Sequence, residues 1–274
     1  PEYLGFLQTI HARWQHIEGA APEVIPNIHP AARTDSYPKS AIGQAGYHQA
    51  DTACPIGAET WGSAYWSAQT AVAGADALLG GASAAYALCR PPGHHAFADL
   101  AGGFCFLSNS AIAAERLRAA GARPAILDVD VHHGNGTQGI FYDRGDVLTV
   151  SIHADPARFY PFFWGHAHER GAGAGVGANL NLPLPRGTGD DDYLDTLDTA
   201  LARIAAFGTD ALVVALGLDA AIDDPFRGLA VTPDGFARIA AKIAAHGVPT
   251  LWVQEGGYLS DSLGLNLTRV LANA

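Results

Sequence analysis

The sequence predicts an α/β fold, in which a mainly parallel central sheet is covered by helices on both faces. Two observations support this prediction. Apolar runs of strand length alternate along the chain with segments of helical periodicity. The apolar runs are nearly continuous, which is typical of strands buried on both faces, as in parallel sheets. A chain of 274 residues can bury a sizeable core, and we expect a single domain over residues 1–274.

The predicted elements follow from periodicity and from punctuation by Gly, Pro, Asn and Asp. The first helix covers residues 3–17, and a long irregular segment, residues 19–56, follows it. The remaining helices are predicted at residues 60–79, at 109 to about 120 after a cap at Ser108, at 138–142, at 191–207, and after a cap at Thr232 to about 246. The strands are predicted at residues 84–89, from 125 into the acids and histidines that follow, and at 146–153, 210–219 and 249–253.

The strand that begins at residue 125 ends in Asp128, Asp130 and His132. Alternate residues of a strand share a face, so these three side chains are expected to point the same way. Such a cluster is stable when a cation lies among its members, and Asp and His ligands suit zinc or another first-row ion. The alternative is a solvated, Asp-rich turn.

Unusual polar residues recur where the predicted strands end. In open parallel sheets, ligands bind outside the carboxyl ends of the strands, so these residues are expected to form one site. They are His94 and His95, residues 128–132, Ser151, Asp219 and Tyr258.

Metal-assisted amide hydrolysis is the chemistry that these residues predict. Asp130, His132 and Asp219 form a plausible catalytic metal shell that leaves room for water and substrate. A metal ion there would lower the pKa of its water and polarise a carbonyl group.

The remaining polar residues suit proton transfer and charge stabilisation. His94 and His95 follow a Pro-Pro-Gly turn and are placed to take a proton from water and to deliver one to a leaving amine. Tyr258 follows two glycines, and its hydroxyl is expected to stabilise the oxyanion.

The composition narrows the partners and the compartment. The formal net charge is -11 with only 16 Lys and Arg, which argues against nucleic acid as a ligand. An acidic surface is compatible with cationic small molecules or basic peptides, but ordinary solubility explains the same charge balance. The sequence has no apolar run long enough to cross a membrane. The three cysteines form no CxxC pair, so we expect neither a disulfide framework nor a thiolate zinc site, and we expect a cytoplasmic location.

The motifs in combination resemble the zinc-dependent histone deacetylase family, and within it the bacterial acetylpolyamine amidohydrolases. The motifs that carry the family resemblance are Arg90-Pro91-Pro92-Gly93-His94-His95, Gly103-Phe104-Cys105-Phe106, Asp128-Val129-Asp130-Val131-His132-His133-Gly134-Asn135-Gly136-Thr137, Gly217-Leu218-Asp219 and Glu255-Gly256-Gly257-Tyr258. The resemblance to the bacterial branch rests on Ala50-Asp51-Thr52-Ala53-Cys54-Pro55-Ile56, on His153-Ala154-Asp155-Pro156 and on the long loop before Gly43.

The resemblance implies a three-layer arginase-deacetylase fold and a zinc ion held by Asp130, His132 and Asp219. Iron(II) or cobalt(II) would accept the same ligands. It also implies that His94 and His95 shuttle protons. The resemblance implies that the hydroxyl of Tyr258 polarises the carbonyl group of the substrate. It also implies that the side chain of Asn135 is the partner of the His95 imidazole.

The resemblance further implies a structural potassium ion and a substrate channel. The potassium ligands would be the side chains of Asp128 and Ser151 and the carbonyls of Asp130, His132 and Ile152. The channel would be formed by Gly103, Phe104 and Tyr160, with Asp51 contacting the amine or the backbone of the substrate. A neutral Asn135 is expected to leave His95 less basic.

We therefore expect hydrolysis of small, cationic N-acetylated polyamines, such as acetylputrescine, acetylspermidine and acetylcadaverine. Residues 19–56 are expected to narrow the entrance and to form a homodimer contact, and the family's first strand and helix are expected to be missing from this chain. The alternatives are a protein or peptide lysine deacetylase, a ureohydrolase with two manganese ions, and a non-catalytic binding protein.

Overall fold

The computed structural model describes residues 53–56 and 59–274, together with the backbone of a short strand, β1 (His48–Gln49). The helix predicted over residues 3–17, the channel residue Asp51 and most of the segment 19–56 lie outside the described residues. β1 pairs in antiparallel fashion with β2 (Pro55–Ile56).

Six helices and six further strands follow within the described residues. The helices are α1 (Thr60–Leu79), α2 (Asn109–Ala119), α3 (Asn135–Phe141), α4 (Asp190–Phe207), α5 (Pro233–Ala244) and α6 (Leu263–Leu271). The strands are β3 (Ala84–Ala87), β4 (Pro124–Asp128), β5 (Leu148–Ala154), β6 (Asn179–Leu184), β7 (Ala211–Leu216) and β8 (Thr250–Gln254).

The six strands β3 to β8 form one sheet in the order β3-β8-β7-β4-β5-β6, and every neighbouring pair is parallel. Successive side chains of β4 enter different cores. Leu127 packs in the core that includes residues of α4, α5 and α6, and Ile126 packs in the core that includes residues of α1 and α2. The predicted three-layer α/β fold is confirmed.

The strand order reverses direction between β4 and β7. From β4 the chain continues outward through β5 and β6, whereas β7 and β8 lie on the opposite side of β4. A reversal of this kind leaves a crevice at the carboxyl ends of the two central strands, where ligands bind in open α/β sheets.

β1, β2, β6 and α6 were not predicted, and three predicted strands end earlier than expected: β3 at Ala87, β4 at Asp128 and β7 at Leu216. β6 carries Asn179, Asn181 and Pro183 between leucines, and this polar, proline-containing pattern is tolerated because β6 lies at the edge of the sheet. α6 was also missed, although it packs against α5. β4 ends at Asp128, so Asp130 and His132 lie in the following turn and not on one face of a strand.

No helix of the described residues is both long enough and apolar enough to cross a membrane.

Candidate active site

Three residues with metal-ligating side chains meet in the crevice between β4 and β7. Asp130 and His132 follow β4, Asp219 follows β7, and the two strands are adjacent and parallel. One ligand atom from each residue lies within 4.8 Å of the others, and all three residues are buried. We call this set the Asp-His-Asp group.

Hydrogen bonds from the backbone hold this group together. Asp130 Oδ1 accepts from the amide N of His132 at 2.9 Å, and Asp219 Oδ1 accepts from the amide N of Val131 at 3.0 Å. His132 Nδ1 lies 3.1 Å from Asp130 Oδ1 and 3.1 Å from Asp219 Oδ2. Asp130 and His132 therefore come together because the turn after β4 is hydrogen-bonded. The prediction that they share one face of a strand was wrong.

The donor set and its charge fit a divalent metal ion. Two carboxylates and one imidazole are common zinc ligands. Burial raises the pKa of Asp219 to about 6, and the adjacent Asp130 adds to this effect. Burial lowers the pKa of His132, but its hydrogen bonds with Asp130 and Asp219 outweigh burial and raise the pKa to about 9. The rise for His132, and the part of the rise for Asp219 that Asp130 causes, reflect concentrated negative charge, which a bound cation would neutralise.

Two glycines allow the chain to pass close to these carboxylates. A Cβ atom at Gly217 would lie 2.3 Å from Asp130 Oδ2, and one at Gly256 would lie 2.3 Å from Asp219 Oδ2. The amide N of Gly256 donates to Asp130 Oδ2 at 2.8 Å. A larger residue at either position would displace a carboxylate of the group.

The two adjacent histidines lie beside the Asp-His-Asp group. His94 Nδ1 lies 2.9 Å from Asp128 Oδ2, and His95 Nδ1 lies 2.6 Å from Asn135 Oδ1. The centroids of the two imidazole rings are 4.0 Å apart, and the ring of His95 is 5.8 Å from that of His132. Because Nδ1 of each ring is engaged, Nε2 is the nitrogen that can exchange protons with a substrate.

The same two histidines differ in basicity. Burial lowers the pKa of His94, but the carboxylates of Asp130 and Asp128 outweigh it and raise the pKa well above its usual value. For His95, burial and the charges of His94 and His132 together lower the pKa well below its usual value. His95 is therefore weakly basic mainly because it is buried, and its hydrogen bond with Asn135 opposes this shift. That Asn135 leaves His95 less basic than an aspartate would stays a prediction.

Aromatic rings surround the histidines and Tyr258. The ring of Tyr160 is 4.9 Å from that of His95, and the ring of Phe104 is 6.4 Å from that of Tyr258. Gly103 adopts φ 53°, and a Cβ there would lie 2.4 Å from the His95 ring. Burial, followed by the charge of Asp130, raises the pKa of Tyr258. Its hydroxyl therefore remains a proton donor at neutral pH.

Two phenylalanines at the site were not predicted as site residues. The ring of Phe159 stacks on His132, with centroids 5.0 Å apart and planes inclined by 24°. The ring of Phe226 is 5.7 Å from His132 and 4.6 Å from Tyr258. The sequence could have indicated Phe159, because it begins a cluster of aromatic residues that ends at Trp164. It could not have indicated Phe226, which is an isolated aromatic residue after Asp-Asp-Pro.

The side chains predicted to bind potassium also take part in hydrogen bonds. Ser151 is the register partner of Asp128 across β5 and β4, and Ile152 is the next residue of β5. Ser151 Oγ lies 2.8 Å from His153 Nδ1. The contact of Asp128 with His94 was not predicted, because nothing local relates two residues that are 34 positions apart.

Comparisons with known proteins agree with the family resemblance and with the fold. The histone deacetylase domain family matches residues 2–274. An acetylpolyamine amidohydrolase from Burkholderia pseudomallei is 52% identical over 265 residues, which cover 96% of this chain and 77% of the relative. Acetylpolyamine amidohydrolase 1 from Pseudomonas aeruginosa is 47% identical over 273 residues, which cover 98% of this chain and 79% of the relative.

The fold is also that of a solved relative. The crystal structure of the acetylpolyamine aminohydrolase from Burkholderia pseudomallei matches with a TM-score of 0.80 and 54% identity, over 82% of this chain and 66% of that chain. The family match runs along nearly the whole chain, and the motifs that carry it surround one buried site. The chain therefore belongs to the histone deacetylase family.

Proposed function

We propose that this chain hydrolyses N-acetylated polyamines, of the acetylputrescine, acetylspermidine and acetylcadaverine type, to acetate and the free amine. The observation that carries this proposal is the contact between the two adjacent histidines and the buried Asp-His-Asp group, with the His95 and His132 rings 5.8 Å apart. Relatives that are 52% and 47% identical are named as acetylpolyamine amidohydrolases, which supports the substrate class.

Asp130, His132 and Asp219 would hold the catalytic metal ion. We propose zinc, although iron(II) or cobalt(II) would accept the same ligands. When bound, such an ion polarises the amide carbonyl and lowers the pKa of a water molecule.

His94 and His95 move protons at Nε2. Asp128 and Asn135 hold the Nδ1 atoms, so that each ring keeps one orientation and presents Nε2 to the substrate. The pair takes a proton from the attacking water and delivers a proton to the leaving nitrogen. Amide hydrolysis requires the second transfer because an unprotonated amine anion is a poor leaving group.

Tyr258 stabilises charge, and the aromatic rings orient the substrate. The Tyr258 hydroxyl donates a hydrogen bond to the carbonyl oxygen as that oxygen becomes negative. Phe104 and Tyr160 flank the aliphatic arm of the substrate, and Gly103 allows the chain to approach His95 closely. Asp51 is proposed to bind the distal ammonium group.

A second cation and a second subunit complete the proposal. A structural potassium ion would be held by the side chains of Asp128 and Ser151 and by the carbonyls of Asp130, His132 and Ile152. The register of β4 and β5, which places Ser151 beside Asp128, supports this assignment. The active form is proposed to be a homodimer in which residues 19–56 narrow the entrance, and light scattering on the purified protein tests it.

Competition between substrates tests the proposed function. The metal-loaded protein is assayed with N-acetylputrescine and with an acetyl-lysine peptide, and kcat/KM is compared. We expect the polyamine to be preferred by at least about 10-fold, since a dedicated site for its free ammonium should contribute about 1.4 kcal/mol or more. A higher kcat/KM for the peptide would instead identify a protein lysine deacetylase.

A further inference from the structure

Glu255 is a buried carboxyl group to which the proposed reaction assigns no step. It follows β8, and only 6% of the residue is exposed. Its Oε2 atom accepts hydrogen bonds from the amide N of Gly93 at 2.6 Å and from the amide N of His94 at 3.1 Å. Its Oε1 atom accepts from Ser110 Oγ of α2 at 2.9 Å. Glu255 therefore contacts the backbone from which the two adjacent histidines project.

The backbone of His94 is held from both sides. Glu255 accepts from its N–H group, and its carbonyl oxygen accepts from the amide N atoms of Gly136 at 3.0 Å and Thr137 at 3.1 Å in α3. The turn has little freedom to shift, because a Cβ at Gly93 would lie 2.3 Å from the amide N of Asn109. Loss of the Glu255 carboxyl would leave two buried N–H groups without this acceptor, and such groups move or bind water.

The segment that begins at Glu255 also contacts the Asp-His-Asp group. The amide N of Glu255 donates to the carbonyl oxygen of Leu216 at 2.9 Å, which joins the segment to β7. The next residue, Gly256, donates its N–H to Asp130 Oδ2 at 2.8 Å. One short segment therefore contacts the histidine turn and a proposed metal ligand, and Tyr258 follows two residues later.

We propose that Glu255 is a positioning residue, whose carboxyl oxygens hold the backbone of Gly93 and His94 and so set the distance between the two imidazole rings and the Asp-His-Asp group. This inference rests on the proposed function, because the distance matters only if the histidines exchange protons with a substrate bound at that group.

The role depends on the acceptor geometry of Glu255 and not on its charge. Burial raises the pKa of Glu255 to about 7, against the opposing effect of the His94 charge. In the protonated acid, Oε1 can donate to Ser110 Oγ while Oε2 still accepts from both N–H groups. A glutamine offers the same arrangement, since its oxygen accepts and its NH2 group donates. Aspartate is shorter by one methylene and loses this reach.

Four variants separate positioning from stability. They are Glu255→Gln, Glu255→Asp, Glu255→Ala and the control Glu115→Ala, which removes a buried glutamate that pairs with Arg118 and Arg144. Each variant is measured for kcat, KM, bound metal per chain, thermal stability, and the amide NMR signals of Gly93 and His94. Acetylputrescine and an acetyl-lysine peptide both serve as substrates, since the same histidines would act on either.

We expect kcat to fall by about 100-fold in Glu255→Asp and Glu255→Ala, with KM and metal content nearly unchanged. A displacement of catalytic groups by about 1 Å typically causes a loss of this size. The amide signals of Gly93 and His94 should shift in both variants. Glu255→Gln should retain kcat to within about 5-fold, because it keeps the acceptor. Glu115→Ala should lose thermal stability without losing kcat.

Three results would overturn the inference: full kcat in Glu255→Asp, a loss in Glu255→Gln as large as in Glu255→Asp, or loss of bound metal in either. The Asp and Gln variants decide the question if Glu255→Ala does not fold. If the unmodified protein hydrolyses neither substrate, the proposed function fails by itself. The amide signals of Gly93 and His94 then still report whether Glu255 holds the turn.

Discussion

The hydroxyl of Tyr258 is the side-chain group that, together with the metal ion, stabilises the charge on the carbonyl oxygen in the proposed mechanism. Tyr258→Phe removes it and keeps the ring, which lies 4.6 Å from the ring of Phe226. We expect kcat to fall by about 100- to 1000-fold, the usual loss of one oxyanion donor, with KM and bound metal unchanged. Steady-state kinetics on the metal-loaded protein measure this.

Tyr65→Phe is the control, because Tyr65 packs against Trp61 and Trp66 of α1. Unchanged kcat in Tyr258→Phe would contradict the mechanism.

Gly256 is the residue at which a single methyl group should disturb metal binding. The new Cβ of Gly256→Ala would lie 2.3 Å from Asp219 Oδ2 and 2.5 Å from Asp130 Oδ2, so a carboxylate must move. We expect metal affinity to fall by at least about 10-fold, which a competitive metal titration measures.

The matched control is Gly62→Ala in α1, where a Cβ would meet nothing within 4 Å. This control should bind metal normally and gain about 0.5–1 kcal/mol in the free energy of unfolding, because alanine loses less conformational freedom than glycine in a helix. Equal metal affinity in Gly256→Ala and the unmodified protein would contradict the assignment of the ligands.

At the scale of elements, the start of α5 shows a local sequence signal that the structure confirms. Thr232 Oγ1 accepts from the amide N of Gly235 at 3.1 Å and donates to Asp190 Oδ2 at 2.6 Å, so it caps α5 and joins it to the start of α4. We expect Thr232→Ala to lower the free energy of unfolding by about 1–2 kcal/mol, measured by urea denaturation.

The control for this helix cap is Thr268→Ala in α6. The Thr268 hydroxyl donates only within its own helix, to the carbonyl oxygen of Gly264, and its loss should change stability by less than about 0.5 kcal/mol. Both variants should keep full activity at 25 °C, since the hydroxyl hydrogen bonds of Thr232 and Thr268 do not involve the Asp-His-Asp group. A loss of activity in Thr232→Ala without a loss of stability would show that α5 has a different role.

Elements with a strong local signal were predicted well, and elements defined by their neighbours were not. The helix over Thr60–Leu79 was predicted with its observed bounds, and Thr232 was identified as a cap. β6 was missed because its polar residues are buried in contacts with distant parts of the chain. Asn179 and Asn181 both donate to Gln138 Oε1, at 3.0 Å and 2.8 Å, which no local pattern reveals. Pro183 is also atypical of a strand, and it is tolerated in β6 because β6 lies at the edge of the sheet.

At the scale of the whole molecule, the bound metal should link the loops after β4 and β7. Removal by a chelator should abolish hydrolysis and lower the melting temperature by several degrees, because a ligand at about 1000 times its Kd contributes about 4 kcal/mol to stability. Addition of zinc should restore both. Thermal unfolding and activity are measured before and after dialysis against the chelator.

In the control Asp219→Ala, the melting temperature should not respond to the chelator. Full activity after exhaustive chelation would contradict the proposed function.

The sequence by itself determined the fold class and the chemical character of the site. Apolar runs and helical periodicity are local properties, and they predicted a parallel sheet with helices on both faces. The residue types Asp, His and Tyr at strand ends predicted metal-assisted hydrolysis, because carboxylate and imidazole groups bind metal ions and histidine and tyrosine can donate protons or hydrogen bonds.

Only the tertiary structure decided which of these groups are partners. The contacts of Asp128 with His94, of Glu255 with Gly93 and of Gly256 with Asp130 join residues that are 34, 162 and 126 positions apart. Such contacts depend on the strand order β3-β8-β7-β4-β5-β6, in which β7 returns to lie beside β4 and β8 lies next to β7. That order results from the packing of the whole sheet between its helix layers, a property that no single stretch of sequence contains.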